Sequence, residues 1–383
     1  MNILISLMYY RPHYSGLTIY SERLAKALAK RGHEVIVLTS RFDNDLPAEE
    51  ELGGVRIIRP RVIMQVSKGV IMPSMPIWAW KIIRQVDIVN PHVPQPDAAV
   101  MTSIGKLLGK PSVLTYHCDL QLPEGFIHYL ANQGSHFANY ISANYADAIV
   151  TNTLDYAESS TFLSKFISKV HAIPPPIQVN EIAPEILTAF RSRYGINPDQ
   201  RIIGMASRLA TEKGVEYLVN ALPDVLEKYP TARVLFAGQY QDVLGEETYA
   251  KKLEPLINEL GDHWTFLGVL PAGEFSAFFH EAEVTVLPSI NSTESFGMVQ
   301  VESMACGTPV ISTDLPGVRQ PIKMTGMGRI VPPRDPGKLS KALIEILSEP
   351  NGYRGDPELV KSQFSPDAIA AQYESLFSRL LQD

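Results

Sequence analysis

Short β-branched runs alternate with amphipathic helical stretches along almost the whole chain, and this alternation constrains the fold more than any other feature. Strands separated by helices cannot close into hairpins; they pair in parallel, with helices covering both faces of the sheet. The first set of expected strands is Asn2–Leu7, Glu34–Thr39, Val55–Arg59, Asp87–Asn90, Ser112–Tyr116, Ala148–Thr151 and Lys169–Ile173. Pro174-Pro175-Pro176 then breaks the pattern. It resumes with Arg201–Ala206, Arg233–Ala237, Trp264–Leu267, Val284–Leu287, Val310–Ser312 and Arg329–Val331. The expectation is an α/β protein of two doubly wound, Rossmann-like parallel-sheet domains, 1–175 and 176–364, followed by a helix within 365–383. Ligands of such sheets sit beyond the carboxyl ends of the strands, here in a cleft where the two domains face each other.

A chain of 383 residues can bury two cores of ordinary size. With 45% hydrophobic and 20% charged residues it has the composition of a soluble globular protein. Cys118 and Cys306 are too few for a disulfide framework, which fits a reducing cytoplasm. The apolar start, Met1 to Met8, has no basic flank or small-residue cleavage site, so it reads as a first core strand. No run reaches the ~20 apolar residues of a transmembrane helix. A net charge of −7 excludes general nucleic-acid binding. The charge is uneven: residues 1–175 carry 16 Lys+Arg against 14 Asp+Glu, the remainder 18 against 27.

Chemistry-bearing residues gather at the ends of expected strands. After Val284–Leu287 comes Thr293-Glu294-Ser295-Phe296-Gly297, with Ser295 as expected N-cap of a helix from Phe296 to Ala305 that Gly307 stops. Glu294 precedes this helix and Glu302 lies two turns in, ~12 Å away if helical rise holds throughout. The amides of Phe296 and Gly297 at its start suit a phosphate. Two glutamates alone could equally be a dipole complement and a surface charge. Ser207-Arg208-Leu209-Ala210-Thr211-Glu212-Lys213-Gly214 follows Arg201–Ala206, so Arg208 and Lys213 hang where cations would meet a diphosphate. Gly16 opens the first helix, from about Ile19 to Arg31, and allows close approach of backbone to phosphate; no G-x-G-x-x-G is present. His117, in Thr115-Tyr116-His117-Cys118-Asp119-Leu120, ends a strand. Asp43-Asn44-Asp45 looks like a metal-binding D-x-D but has no supporting ligand spacing and reads as a solvated loop.

From Glu294 through Ala305-Cys306-Gly307-Thr308-Pro309-Val310-Ile311 the chain resembles retaining GT-B glycosyltransferases of family 4, and the resemblance spans nearly its whole length. It departs at Ser15, where members carry paired glycines, and at Pro174-Pro175-Pro176-Ile177, where they show a Pro-Asn-Gly turn. The resemblance implies that Glu294 binds the donor sugar and Glu302 the ribose, with Arg208, Lys213 and the amides of Phe296 and Gly297 on the diphosphate. It further implies that His117 contacts the sugar near the reacting carbon and that the backbone at Leu267 and Val269 borders the nucleobase. Asp119, two residues after His117, is the weaker candidate, for positioning the acceptor. The terminal helix would cross back onto the first domain.

On that resemblance the chain is a metal-independent, retaining glycosyltransferase. Its donor would be a UDP- or GDP-linked sugar, a co-substrate rather than a cofactor, and its acceptor a sugar or lipid-linked glycan. The work would belong to glycan, glycolipid or envelope polysaccharide synthesis. A nucleotide-sugar epimerase of the same fold and a non-catalytic nucleotide-sugar-binding protein remain as alternatives. The stretch between Leu52 and Val86 holds Arg56, Arg59, Arg61, Lys68, Lys81 and Arg84, with no acidic residue, among Ile63, Met64, Ile71, Trp78 and Trp80. It reads as core with a solvated rim, or as a face that contacts an anionic membrane peripherally.

Overall fold

The structure, a computed structural model, describes residues 1–66, 69–119 and 126–382. It divides into two compact units, residues 1–177 with 364–383, and residues 178–363.

The strands of the first unit are β1 (Asn2–Ser6), β2 (Glu34–Leu38), β3 (Glu49–Leu52), β4 (Val55–Ile58), β5 (Met64–Val66), β6 (Gly69–Ile71), β7 (Ile88–Val93), β8 (Val113–Tyr116), β9 (Ala148–Thr151) and β10 (Val170–Ala172). Eight of them form one sheet in the order β10-β9-β8-β7-β1-β2-β4-β3. All neighbours are parallel except β3, which runs antiparallel to β4 at the edge. The inner strands are buried on both faces, as their Ile, Leu and Val content requires.

Three strands were not expected from the pattern: β3, whose sequence is Glu49-Glu50-Glu51-Leu52, and the hairpin β5–β6. The antiparallel return of β3 changes the reading of the basic stretch that follows. Arg56 pairs with Glu49 at 2.5 Å, and the buried Arg59 pairs with Glu50. Two cations of the acid-free stretch are therefore neutralised from the preceding strand, while among its described residues Arg61, Lys81 and Arg84 are exposed and make no such pair with it. Lys68 lies outside the described residues.

The last helix, Pro366–Gln382, completes the first unit. It packs along the helix Gly16–Lys30 and buries Ile369, Ala370, Tyr373, Leu376 and Phe377. Arg31 holds it from outside through Asp367 at 2.9 Å and Glu374 at 2.7 Å.

The second unit contains β11 (Arg201–Ala206), β12 (Ala232–Ala237), β13 (Trp264–Gly268), β14 (Val284–Leu287), β15 (Val310–Thr313) and β16 (Gly328–Val331) in one parallel sheet, ordered β13-β12-β11-β14-β15-β16. The chain moves outward from β11 in one direction to β13, then returns to β14 on its other side. The strand order thus reverses between β11 and β14, where a doubly wound sheet opens a crevice at its carboxyl end. In the first unit the same reversal falls between β1 and β7.

Candidate functional site

The two motif loops of the second unit leave the adjacent strands β11 and β14, one on each side of that crevice. Residues Thr211–Lys213 form a single 3₁₀ turn, and Gly214 caps the helix Val215–Lys228 with φ of 64°. A Cβ on Gly214 would lie 2.2 Å from the Pro288 carbonyl oxygen and 2.9 Å from Ile290. Glycine there lets the two loops touch, and the Ile290 amide donates to the Glu212 carbonyl at 3.1 Å. Lys213 is thereby carried onto Glu294, its Nζ donating to Oε2 over 2.7 Å. Both side chains keep some exposure, 20% and 16%. Arg208, half-exposed, donates to Glu212, four residues on, at 3.0 Å.

The helix after Glu294 starts at Met298, not at Phe296, and its N-cap is Gly297 rather than Ser295. The reason is steric. Gly297 has φ of 80°, and a Cβ on it would lie 2.4 Å from Leu287 and 2.6 Å from Gln300. The Gln300 side chain spans the turn instead, donating to the carbonyls of Phe296 at 2.8 Å and Val318 at 2.9 Å. Phe296 is fully buried, and the amides at the helix start are those of Gly297, Met298 and Val299; the last two were missed. Helical rise accordingly does not hold over the whole interval between the two glutamates.

Glu302 is buried, not a surface charge. Burial, with the Glu302 carboxylate adding to it, pushes the Cys306 thiol up to about 12. At the end of β13, Leu267 packs against the core and Val269 is exposed.

In the first unit, Gly16 is the first helical residue and Ser15 its N-cap, with the Ser15 hydroxyl accepting from the Thr18 amide at 3.3 Å. The serine in place of a second glycine thus caps the helix. His117 follows β8, its amide bonded to the Val93 carbonyl at 3.1 Å. Its Nε2 lies 3.0 Å from Nδ1 of the fully buried His92, and the ring stands at 87° to that of Tyr20, centroids 4.7 Å apart. Burial lowers the His117 pKa to about 3, so the ring is neutral. Asp119 is used as a tether. One carboxylate oxygen accepts from Tyr116 and Ser160, each at 2.8 Å, and its amide donates to Tyr156 at 2.7 Å.

Asp97, beyond the end of β7, is a residue that strand and motif patterns did not single out. Burial raises its pKa to about 6. The only signal in the sequence was its position in the loop at the first unit's order reversal. Asp43 and Asp45 form an exposed turn, the Asp45 amide bonded to the Asp43 carboxylate at 3.0 Å. Among the described residues, no group of three or more His, Cys, Asp or Glu is arranged to hold a metal ion. The candidate site residues therefore fall into two groups, Gly16, Asp97, His117 and Asp119 in the first unit and the remainder in the second.

Residues 14–181 match the model described as Glycosyltransferase Family 4, and residues 188–358 that described as Glycosyl transferases group 1. An uncharacterised glycosyltransferase of Methanocaldococcus jannaschii is 26% identical over 353 residues, which cover 87% of this chain and 85% of that one. A D-inositol 3-phosphate glycosyltransferase of Acidothermus cellulolyticus is 26% identical over 359 residues, 87% of this chain and 78% of the relative. Among solved structures, sucrose-phosphate synthase from Thermosynechococcus elongatus superposes with a TM-score of 0.77 at 23% identity, over 100% of this chain and 99% of that one. HepE of Anabaena, in complex with UDP-glucose, does so with a TM-score of 0.77 at 19% identity, over 99% and 100%. These likenesses are of fold, the two-domain GT-B architecture.

Proposed function

Because the chain belongs to the glycosyltransferases of group 1, family 4, we propose that it moves a sugar from a UDP- or GDP-linked donor to a sugar or lipid-linked acceptor, with retention at the anomeric carbon and without a metal ion. The observation that carries this reading is the Lys213–Glu294 pair. An ammonium suits phosphate oxygens, and a carboxylate suits sugar hydroxyls. A nucleotide-sugar joins a diphosphate and a sugar through one oxygen, so it presents both groups to adjacent side chains. The complex of HepE with UDP-glucose supports the same donor class.

In this mechanism Arg208, Lys213 and the amides of Gly297, Met298 and Val299 stabilise the leaving diphosphate, an electrostatic task. Glu294 orients the sugar and Glu302 the ribose, while the backbone around Leu267 and Val269 borders the base. His117 contacts the sugar near the reacting carbon. The acceptor hydroxyl attacks from the face the diphosphate leaves, and a donor phosphate oxygen takes its proton. Asp97 replaces Asp119 as the acceptor-side carboxylate, because the Asp119 oxygen already holds two hydroxyls.

The test is to incubate the protein with UDP-glucose or GDP-mannose and candidate acceptors in EDTA, following the product anomer by NMR. Retained configuration in EDTA is expected. An inverted anomer, or activity that EDTA abolishes and Mn²⁺ restores, would overturn the mechanism. Conversion of the donor to its epimer without transfer would favour the epimerase.

We also propose cytoplasmic work at an anionic membrane face. Ile63, Met64 and Ile71 of the β5–β6 hairpin and Ile77 and Trp80 of the helix Met75–Ile83 are exposed, beside exposed Arg61, Lys81 and Arg84. Large apolar side chains among cations suit the boundary of anionic lipid. No described helix is long and apolar enough to cross a membrane. The protein should co-sediment with phosphatidylserine vesicles at low salt and less at ~1 M, where screening extends to only ~3 Å. Ile77→Ser with Trp80→Ser should weaken retention; no retention by the unaltered protein at low salt would sink the idea.

A further inference from the structure

The mechanism leaves His92 without a task, although its ring is fully buried beneath His117. Strand β7 sends the side chains of Asn90 and His92 to the same face, two residues apart. The orientation of the Asn90 amide is set by its neighbours. Its Nδ2 donates to the Val113 carbonyl at 2.6 Å and to Thr115 Oγ1 at 2.9 Å, and a carbonyl can only accept. Asn90 Oδ1 therefore faces His92 Nε2, 3.1 Å away, and His92 must carry its proton there.

A second proton on His92 is excluded by burial, reinforced by His117, which holds its pKa well below the ordinary value. Nδ1 of His92 is then an acceptor. Ser21 Oγ, 2.9 Å from it and 2.9 Å from the Leu17 carbonyl, adds a polar contact without reversing that polarity. His117 Nε2, 3.0 Å from the same nitrogen, must be the donor. The edge of Tyr20 holds the imidazole in its plane, and the Tyr20 hydroxyl is itself 2.8 Å from that of Tyr373.

We infer that Asn90 and His92 are positioning residues that lock His117 in the Nε2–H tautomer, which fixes the ring's acceptor lone pair on Nδ1. That this ring serves a nucleotide-sugar rests on the proposed function; the tautomer does not.

The two parts are tested separately. Long-range ¹H–¹⁵N spectra of the full-length protein labelled with ¹⁵N-histidine, assigned with His117→Gln, should show His117 protonated at Nε2 alone between pH 5 and 8. A proton on Nδ1, or the averaged signals of an unconstrained ring, would overturn the lock. His92→Asn places an amide oxygen near the lost Nδ1 and should preserve the tautomer, whereas His92→Leu should release it. Should His92→Leu fail to fold, Asn90→Ser removes the partner of Nε2 and gives the same readout.

With UDP-glucose as donor, His92→Leu should lower kcat about tenfold, the order of one hydrogen bond, and leave the donor KM within about twofold. His92→Asn should recover most of that loss. The double variant His92→Leu/His117→Ala should be no slower than His117→Ala alone. Losses that add would mean that His92 acts on its own and would overturn the relay. A locked tautomer in a protein that turns over no nucleotide-sugar would refute the proposed function and leave the lock standing.

Discussion

Lys213 and Glu294 lie 81 positions apart and meet because Gly214 removes a side chain at the one place where the Pro288 backbone must pass. Gly214→Ala should therefore act on both stability and activity. Its left-handed backbone alone costs an ordinary residue about 1–2 kcal/mol, and the clash with Pro288 adds to that. Chemical denaturation should show the loss, and turnover should fall with it; a variant as stable as the parent would show that the loops can separate freely.

The two glutamates should also differ. Under the proposed function, Glu302→Ala should chiefly raise the donor KM, since ribose contacts would be alike in ground and transition states. Glu294→Ala should lower kcat as well, because on that proposal it holds the reacting sugar. Reversed signatures would exchange their roles. Lys213→Ala should reduce turnover by about 10²–10³, the scale of one lost oxyanion contact, with little change in melting temperature. Near-normal activity in a folded Lys213→Ala protein would remove Lys213 from the proposed diphosphate site.

At the scale of elements, the parallel strands were readable because buried strands are short runs of Ile, Leu and Val between helical stretches, as in Asn2–Ser6 and Val284–Leu287. Strand β3 was not, because an edge strand needs no apolar face and this one is nearly all glutamate. The start of the helix at Met298 was hidden for another reason. Ser295 is a good cap by propensity, but the left-handed turn at Gly297 is imposed by Leu287 and Gln300, which local sequence does not reveal. The surroundings of His117 were least readable of all. Ser21, Asn90 with His92, and Tyr373 come from three separate elements and meet only in three dimensions.

That buried polar cluster makes the first unit sensitive to acid. His92 and His117 remain neutral when folded, His117 down to about 3, but bind protons near their ordinary 6.5 when unfolded. Below that value the unfolded chain binds more protons, so stability falls as pH falls, by up to about 1.4 kcal/mol per unit for each ring. Asp97, raised from 3.8 to about 6, works in the opposite sense within that interval. Two groups against one leave a net loss. Melting temperature should drop between pH 6.5 and 4.5, and less steeply in His117→Asn; an equal slope in that variant would show that the titrating groups lie elsewhere.

On the scale of the whole molecule, the helix Pro366–Gln382 belongs to a unit whose other residues end at Ile177. It supplies five buried apolar side chains and the Tyr373 hydroxyl that meets both Tyr20 and Thr115. A chain ending at Gln363 should keep only the cooperative transition of the second unit, the first unit having lost its own and unfolding gradually at lower temperature. Melting of both units as in the full chain would show the helix to be dispensable. Synthesis gives this arrangement a direction. The ribosome makes the first unit's sheet early, yet the segment that closes it emerges only after every residue of the second unit. A message cut short before this helix, or a nascent chain released too soon, therefore yields a product whose first unit still exposes the surface the missing helix would cover, open to chaperones and proteases. Synthesis of the whole second unit is built into the fold as a condition for the first to close.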